Sequence, residues 1–355
     1  MSALAAHGAA FARAVAGFGP GAPAILCHDD ADGLSAGAIL ARAFARAGRE
    51  PAAVRVVGRG ASAWSLAMRG ELAALAPGGI VVTDLGVQAG AVLPGVPTVL
   101  VDHHVPRSLP EPSEAVVVSG HADAPIPTSS LLAHACAAAL GEAGDLAWLA
   151  AIGLVGDLGE RGASADFPDV MAPVRKAHTA KALREAVSLV NAPRRSALGD
   201  AGPALRLLLR AGSPAEIVSG TDPDAEALRA ARAEVKAALD AARVVPPLFA
   251  GPVTLIRCDS PCQIHPLVAQ SWTHRLRRQV VIGANAGFRA GHVHFAARSL
   301  GVPDLIAFLQ ERAPSLAPGD QFAQGHRRAT GGQVRIETWN RFADGLGFGP
   351  EARVA

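Results

Sequence analysis

The sequence contains no tyrosine and few aromatic residues of any kind. Phe, Trp and Tyr together make up 4% of its 355 residues. Proteins that track along single-stranded nucleic acid stack successive bases on aromatic side chains, so this scarcity argues against a long, processive single-strand path. Trp272 and Phe322 are the candidates for a base contact, and packing in the core is the alternative role for each of them.

Cysteine, lysine and long apolar runs are also scarce. The four Cys residues are too few for a disulfide framework, which favours a reducing cytoplasm. Most of the 33 basic residues are Arg, yet the net charge is only +2, so no strong overall field predicts a nucleic-acid or membrane partner. Because no stretch of about 18 uncharged apolar residues occurs, we expect no membrane-spanning segment.

Short apolar runs alternate with alanine-rich stretches over the first half of the chain. Runs typical of strands lie at 24–27, 54–57, 80–82, 98–101 and 115–118. Runs typical of helices lie at 34–47, 129–140 and 146–155. Continuous apolar strands separated by helices predict a parallel sheet covered on both faces, and such sheets place their sites at the carboxyl ends of the strands.

A long charged helix is predicted next, from Asp222 to Val244, with Asp222 as N-cap and Pro223 in the first turn. The pattern then restarts, with strands at 253–257, 280–284 and 292–296 and helices at 267–276 and 304–312. We therefore expect an α/β fold with a parallel-sheet domain over 1–221, a connector helix over 222–247, and a smaller α/β domain over 248–355.

Acidic and histidine residues follow the predicted strands of the first domain. They are His28, Asp29, Asp30 and Asp32 after the first strand, Asp84 after the third, Asp102, His103 and His104 after the fourth, and Asp157 near a helix end. Taken alone, each Asp could equally well be a helix N-cap. Brought to one sheet edge, however, the carboxylates would repel one another unless divalent cations lay among them. Carboxylate and imidazole ligands favour Mn, Mg or Co, and a pair of such ions hydrolyses phosphoesters.

A second metal site has to be weighed against this one. Cys258 and Cys262, with His265 nearby, offer thiolate and imidazole ligands for structural zinc. The spacing is loose and no second Cys pair lies close by in the sequence. We therefore base the metal prediction on the clusters of the first domain.

These clusters resemble the motifs of the DHH phosphoesterase superfamily, which is named after the run found here at 102–104. The segments that match the four family motifs are 27–40, 82–86, 101–104 and 153–159. The first motif is most similar to that of the archaeal-type RecJ-like nucleases. Segments 295–299 and 324–332 resemble the C-terminal substrate-binding domain of the RecJ-like and nanoRNase branches, without the additional Gly that usually precedes the Gly325-His326 pair.

The resemblance implies roles for the matching residues. One divalent ion, most simply Mn²⁺ with Mg²⁺ or Co²⁺ as alternatives, would be held by His28, Asp30 and Asp84. A second would be held by Asp32, Asp84, His103 and Asp157, so that Asp84 bridges the pair. Asp102 would orient a histidine, and His104 would contact the scissile phosphate or assist proton transfer. Substrate would be bound by Arg298, Ser299, Gly325, His326 and Gly331. We assign Asp29 to a helix cap.

Three functions are compatible with this pattern. The first is a metal-dependent exonuclease or phosphodiesterase that binds single-stranded DNA or RNA between the two domains and hydrolyses it from an end. The sequence contains no further oligonucleotide-binding barrel, which favours short oligonucleotides. The second is a phosphatase or phosphodiesterase for 3′,5′-bisphosphate nucleotides or for linear or cyclic dinucleotides. The third is a non-catalytic scaffold, in which we would expect metal ligands to be lost, and every matched ligand is present.

Overall fold

The computed structural model describes residues 2–355, except for the side chains of residues 324–326. The described chain divides into two compact units. The first contains the chain up to Arg194 together with Gly199–Ala230, and the second contains Arg195–Leu198 and Ala231–Ala355. The predicted long helix is present as Pro223–Arg243, and its residues are divided between the two units.

The first unit is built on a parallel sheet. Its strands are β1 (Pro23–His28), β2 (Ala53–Val57), β3 (Gly79–Thr83), β4 (Thr98–Asp102) and β5 (Val116–Ser119). They pair in the order β2-β1-β3-β4-β5, and every pairing is parallel. The strands predicted from the apolar runs are thus confirmed. The chain changes its direction of winding between β1 and β3, and ligand sites of open parallel sheets lie at such a switch point.

Helices pack on this sheet and on one another. They are α1 (Ala3–Ala16), α2 (Ala31–Arg46), α3 (Leu66–Leu75), α4 (Ser129–Leu140), α5 (Ala147–Asp166), α6 (Pro168–Ala177), α7 (Ala180–Asn191), α8 (Gly202–Arg210), α9 (Pro214–Ser219) and α10 (Pro223–Arg243). The helix expected over 146–155 is longer than predicted, because α5 continues to Asp166 across a break at Gly159, where φ is +73°. Among the described residues, no helix combines the length and apolar character needed to cross a bilayer.

The core of the first unit explains why the strands are apolar throughout. On β1, Ile25 and Cys27 pack into the cluster that contains α2, α4 and α5. The alternate residues Ala24 and Leu26 pack on the opposite face with Leu72 of α3. Since both faces of the sheet are buried, polar side chains with a chemical role are confined to the strand ends and the turns beyond them.

The second unit contains a mixed sheet. Its strands are β6 (Leu248–Ala250), β7 (Val253–Cys258), β8 (Val280–Arg289), β9 (His292–Arg298), β10 (Gln321–His326) and β11 (Ala329–Arg335), and its helices are α11 (His265–Thr273), α12 (Leu305–Gln310) and α13 (Ile336–Gly345). The strand order is β10-β11-β9-β8-β7-β6, and of the pairings described within this second sheet only that of β7 with β8 is parallel. The predicted α/β fold class is confirmed.

Candidate metal centre

Three neighbouring strands of the first sheet deliver polar side chains to one edge. His28 is the last residue of β1, Asp84 directly follows β3, and Asp102 is the last residue of β4. The register pairs Cys27 with Thr83, and Thr83 with Val101, so the three strands end side by side. The sequence clusters therefore converge at the carboxyl edge of the sheet, at its switch point.

Asp84 lies at the centre of this edge. Its backbone adopts a left-handed conformation with φ +64°, which Asp tolerates better than most residues and which turns the chain sharply after β3. The side chain is almost fully buried. Oδ2 of Asp84 lies 3.3 Å from Nδ1 of His28, whereas Oδ1 lies 3.5 Å from Nε2 of His103. The two oxygens of one carboxylate thus face two different histidines.

The first group of ligand atoms surrounds His28. Its Nδ1 lies 3.0 Å from Oδ2 of Asp30, in addition to the contact with Asp84. The ligand atoms of these three residues all lie within 4.8 Å of one another. Nδ1 is buried and makes no well-aligned hydrogen bond with the described residues, although two carboxylates approach it. A nitrogen aimed between two carboxylates suits a metal ligand better than a hydrogen-bond donor.

The second group surrounds His103. Its Nε2 lies 3.5 Å from Asp84, 3.8 Å from Oδ2 of Asp157 and 3.9 Å from Oδ2 of Asp32. These separations are too long for hydrogen bonds. Atoms that ligate one divalent cation at about 2.1 Å lie roughly 3–4 Å apart, and the distances from His103 Nε2 to the three carboxylates fall in this range. Asp84 and His103 belong with His104 to a second group whose ligand atoms all lie within 4.8 Å of one another, and a donor set of carboxylates and imidazoles fits a divalent cation.

Burial and the neighbouring charges shift the pKa values of the ligand groups. Burial raises the pKa of Asp32 to about 8, and the neighbouring Asp84 carboxylate adds to the effect. Burial acts to lower the pKa of His28, but the charges and contacts of Asp30 and Asp84 together outweigh it and raise that pKa to about 10. Burial also acts to lower the pKa of His103, but the contact with Asp84 and the charges of Asp32, Asp84 and Asp157 together raise it to about 9. Such values are expected where several carboxylates share a buried site without cations.

Asp102 and His104 form a hydrogen-bonded pair at the same edge. Oδ1 of Asp102 accepts hydrogen bonds from the backbone N–H of His104 at 2.7 Å and from its ring Nδ1 at 2.9 Å. Oδ2 accepts from the backbone N–H of Gly86 at 2.7 Å. The hydrogen bond with Asp102 raises the pKa of the partly exposed His104 ring. Asp102 thus fixes the orientation of an imidazole at the edge of the centre.

The assignment of Asp29 to a helix cap is wrong. Asp30 is the residue before the first turn of α2, and its Oδ1 accepts the capping hydrogen bond from Gly33 at 3.0 Å. Asp29 is instead buried, with Oδ1 3.3 Å from Nε of Arg194 and 3.3 Å from Nε2 of His28. Its place one residue before the cap position leaves its side chain free to turn towards these two cationic groups.

Arg194 is a component of the site that the sequence did not single out. Besides its contact with Asp29, its Nη1 donates to Oδ2 of Asp30 at 2.8 Å. Nearby, the side-chain oxygen of Asn191 accepts a hydrogen bond of 3.0 Å from the backbone N–H of Ala31. Segment 191–194 therefore holds the first motif in place, although it lies more than 150 residues away in the chain. In the sequence it is marked only by the run Asn-Ala-Pro-Arg-Arg at a helix end.

The predicted substrate residues of the second unit have different surroundings. Arg298 ends β9, and burial lowers the pKa of its guanidinium. No carboxylate pairs with it among the side chains that the structure describes. By contrast, the Ser299 hydroxyl donates to the Gln279 carbonyl and accepts from the N–H of Gly301, so it closes a turn. Of these two residues, Arg298 is the one suited to an anion.

Two predicted glycines and one histidine lie on β10 and β11. A Cβ on Gly331 would overlap the backbone carbonyl of Phe295 on β9, so close strand packing is itself a reason for Gly there. Gly325 pairs with Thr330 through the backbone. The side chain of His326, predicted to bind phosphate, lies outside the described part of the structure.

The other candidates from the sequence are buried or half-buried in the second unit. Phe322 is half-buried and packs against Phe295 and Phe342 of the aromatic core, with ring centroids 5.4 and 4.9 Å apart, whereas Trp272 is half-buried beside Arg275. Cys258 and Cys262 are buried free thiols in an apolar cluster, and burial raises the pKa of Cys258 to about 12. Neither belongs to a metal-ligand group found among the described residues.

Comparison with known proteins gives fold relationships at low sequence identity. No protein-family model matches the chain, and no curated protein matches it. Among solved structures, RecJ from Thermus thermophilus in complex with Mn²⁺ is similar with a TM-score of 0.69 and 21% identity over 98% of this chain and 54% of that one. This chain therefore spans about half the length of that protein.

Two further structures match over most of both chains. An exonuclease RecJ bound to manganese has a TM-score of 0.66 and 19% identity over 99% of this chain and 96% of that one. The DHH domain of a member of the s1p family of ribosomal proteins has a TM-score of 0.63 and 16% identity over 96% and 89%. The chain therefore has the fold of RecJ exonucleases and DHH-domain proteins, as its motifs predicted.

Proposed function

We propose that the protein is a metal-dependent phosphoesterase that hydrolyses short single-stranded oligonucleotides from an end. The observation that carries this proposal is the position of Asp84, whose two buried oxygens face His28 on one side and His103 on the other. One carboxylate between two ligand groups is the arrangement expected for a pair of bridged ions. The shared fold with RecJ structures solved with manganese supports the choice of ion and of reaction.

The proposed ligands divide between the two ions as the family resemblance implies. His28 and Asp30 would hold one ion, Asp32, His103 and Asp157 would hold the other, and Asp84 would belong to both. When bound, such ions activate a water for attack and neutralise charge on the phosphoryl group. The chain contributes the fixed positions of these ligands, all of which come from strand ends or from helices that pack on them.

His104 is proposed to handle the proton of the leaving group. The hydrogen bond from Nδ1 to Asp102 leaves Nε2 as the ring atom directed elsewhere, and the ring is 43% exposed. An imidazolium held in this way donates its Nε2 proton to the departing oxygen, while Asp102 stabilises its charge. Both oxygens of Asp102 accept hydrogen bonds from the chain, which suits a residue that orients an imidazole.

Arg298 is proposed to anchor a substrate phosphate. A guanidinium that is largely desolvated and lacks a carboxylate partner among the described side chains gains strongly from an incoming phosphate. An anchor for a phosphate other than the one being cleaved suits an oligonucleotide better than an isolated phosphate ester. Ser299 and Gly331 contribute by shaping the strand ends beside it.

A second candidate is a phosphodiesterase or phosphatase for small nucleotides, such as 3′,5′-bisphosphate nucleotides or dinucleotides. The observation that favours it is the packing of Phe322, one of the few aromatic side chains proposed for base stacking, against the aromatic core of the second unit. With few stacking surfaces, a substrate of one or two nucleotides would lose less binding energy than a long strand.

One experiment separates these candidates. The protein is incubated with Mn²⁺ and end-labelled DNA and RNA oligonucleotides of graded length, with 3′,5′-bisphosphate adenosine and with cyclic dinucleotides. A ladder that shortens from one end supports the exonuclease, whereas phosphate release from mononucleotides alone supports the second candidate. The control pair is Asp84→Ala, expected to be inactive, and Asp145→Ala, which removes an exposed partner of Arg46 and should leave activity intact. Failure of the wild-type protein to cleave any of these substrates would refute both.

A further inference from the structure

The first turn of α4 binds a carboxylate of the metal centre. Oδ2 of Asp32 accepts a hydrogen bond of 2.8 Å from the backbone N–H of Ser129, and Oδ1 accepts one of 3.0 Å from the N–H of Ser130. Both serines are fully buried. The N–H groups of the first helical turn lack partners within the helix, and their partial positive charge favours an anion there. The carboxylate of Asp32 is thus fixed by backbone donors.

Ser129 makes a second contact that Ser130 does not make. Its hydroxyl donates a hydrogen bond of 2.9 Å to Oδ1 of Asp84, the oxygen that faces His103. Ser129 therefore touches two carboxylates from different elements, Asp32 on α2 and Asp84 in the turn after β3. None of the sequence motifs described above contains Ser129.

We infer that Ser129 is a positioning residue of the metal centre, which holds Asp32 and Asp84 in the orientation that their shared ion requires. The inference rests on the proposed function, since it concerns the same metal centre. Two buried carboxylates repel each other, so without fixed donors they would rotate apart or be held by protons. Each oxygen has a second lone pair, so a hydrogen bond from Ser129 leaves one available for a cation. Donors of this kind orient the ligands and raise metal affinity.

The packing behind Ser129 limits how far this arrangement can relax. A Cβ on Gly153 of α5 would overlap both the Ser130 hydroxyl and Oδ1 of Asp32. Because α5 approaches this closely, the first turn of α4 and the Asp32 carboxylate have little room to shift together. Loss of the Ser129 hydroxyl therefore leaves Asp84 without this hydrogen bond, and movement of the helix cannot compensate for it.

Ser130 supplies a matched control. Its hydroxyl is equally buried, but it donates to the backbone carbonyl of Ala150 and contacts the hydroxyl of Thr128. The substitutions Ser129→Ala and Ser130→Ala both delete one buried hydroxyl next to the centre, and both keep the backbone N–H that Asp32 needs. Only the first removes the hydrogen bond to Asp84.

The test measures Mn²⁺ binding to the intact chain by calorimetry, with electron paramagnetic resonance of unbound Mn²⁺ as a second readout. We expect Ser129→Ala to weaken Mn²⁺ binding about 10- to 100-fold, Ser130→Ala to leave it close to wild type, and Ser129→Thr to restore most of it. Ser129→Cys keeps the buried volume with a much weaker donor, so it should also weaken binding even if Ser129→Ala does not fold.

Two results would overturn the inference: wild-type Mn²⁺ affinity in folded Ser129→Ala or Ser129→Cys, or an equal loss in Ser130→Ala. Failure of the proposed function looks different. In that case the wild-type protein would bind Mn²⁺, the serine variants would differ as expected, and none of the nucleotide substrates would be cleaved.

Discussion

Nδ1 of His104 lies 2.9 Å from Oδ1 of Asp102, and the same oxygen also accepts the backbone N–H of His104. The Asp102 carboxylate thus fixes both the ring and the backbone of His104. We expect Asp102→Asn to lower kcat by about 100-fold or more, because an amide neither stabilises the imidazolium nor selects its tautomer. Steady-state kinetics with Mn²⁺ check this.

The matched measurement for Asp102→Asn is Mn²⁺ affinity. Because the two oxygens of Asp102 accept hydrogen bonds from Gly86 and His104, affinity should remain near that of the wild type while turnover falls. An unchanged kcat in Asp102→Asn would show that Asp102 and His104 do not act together in proton transfer.

Arg194 should stabilise the metal-free protein through its ion pairs with Asp29 and Asp30. We expect Arg194→Met to lower the free energy of unfolding by about 2–4 kcal/mol, because it leaves the buried Asp29 carboxylate without its guanidinium partner. Urea unfolding in the presence of a chelator measures this. Combining Arg194→Met with Asp29→Asn should recover part of the loss, and strictly additive effects would show that the pair is not coupled.

Arg298 should act on substrate binding more than on chemistry. We expect Arg298→Ala to raise KM about tenfold or more with little change in kcat, since the guanidinium anchors a phosphate that is not cleaved. Arg257→Ala, which changes another Arg of the same sheet that donates to the Glu351 carbonyl, is the control. A loss confined to kcat would place Arg298 at the reacting phosphate instead.

The pKa shifts of the centre give a pH dependence with a definite sign. The pKa values of Asp32, His103 and His28 are raised to about 8, 9 and 10. Protonation of these groups therefore stabilises the metal-free fold at low pH, and that stabilisation is lost as pH rises through these values. The lowered pKa of Asp102 acts in the opposite sense but only in acid, where its protonation removes stability.

Metal binding must displace the same protons. We therefore expect the melting temperature of the metal-free protein to fall between pH 6 and about pH 9, and the rise in melting temperature caused by Mn²⁺ to grow over the same range. Thermal unfolding with chelator or with Mn²⁺ at several pH values checks both expectations. A Mn²⁺ effect that shrinks with rising pH would contradict them.

Much of the centre could be predicted because its ligands lie next to features that are visible in the sequence. The buried strands are continuous apolar runs, and His28, Asp84 and Asp102 stand at or just after their ends. Parallel pairing then dictates that such residues meet. The glycines next to these residues can also be recognised in the sequence, because close approach of backbone segments requires glycine there.

The contacts that depend on tertiary structure could not be predicted in this way. Arg194 reaches Asp30 across 164 positions, and Ser129 reaches Asp84 across 45 positions, and neither residue type is unusual where it stands. Strands β10 and β11 were missed because Gly, Gln and Arg interrupt any apolar alternation. Their partners in the sheet, and not their own sequences, keep them extended.

The most direct test of the proposed metal centre is the number of Mn²⁺ ions bound by the wild-type chain and by Asp84→Asn. We expect two ions per wild-type chain, and we expect Asp84→Asn to lose high-affinity binding of both because one carboxylate faces the two groups. Two ions bound by Asp84→Asn with wild-type affinity, or no Mn²⁺ bound by the wild-type protein, would contradict it.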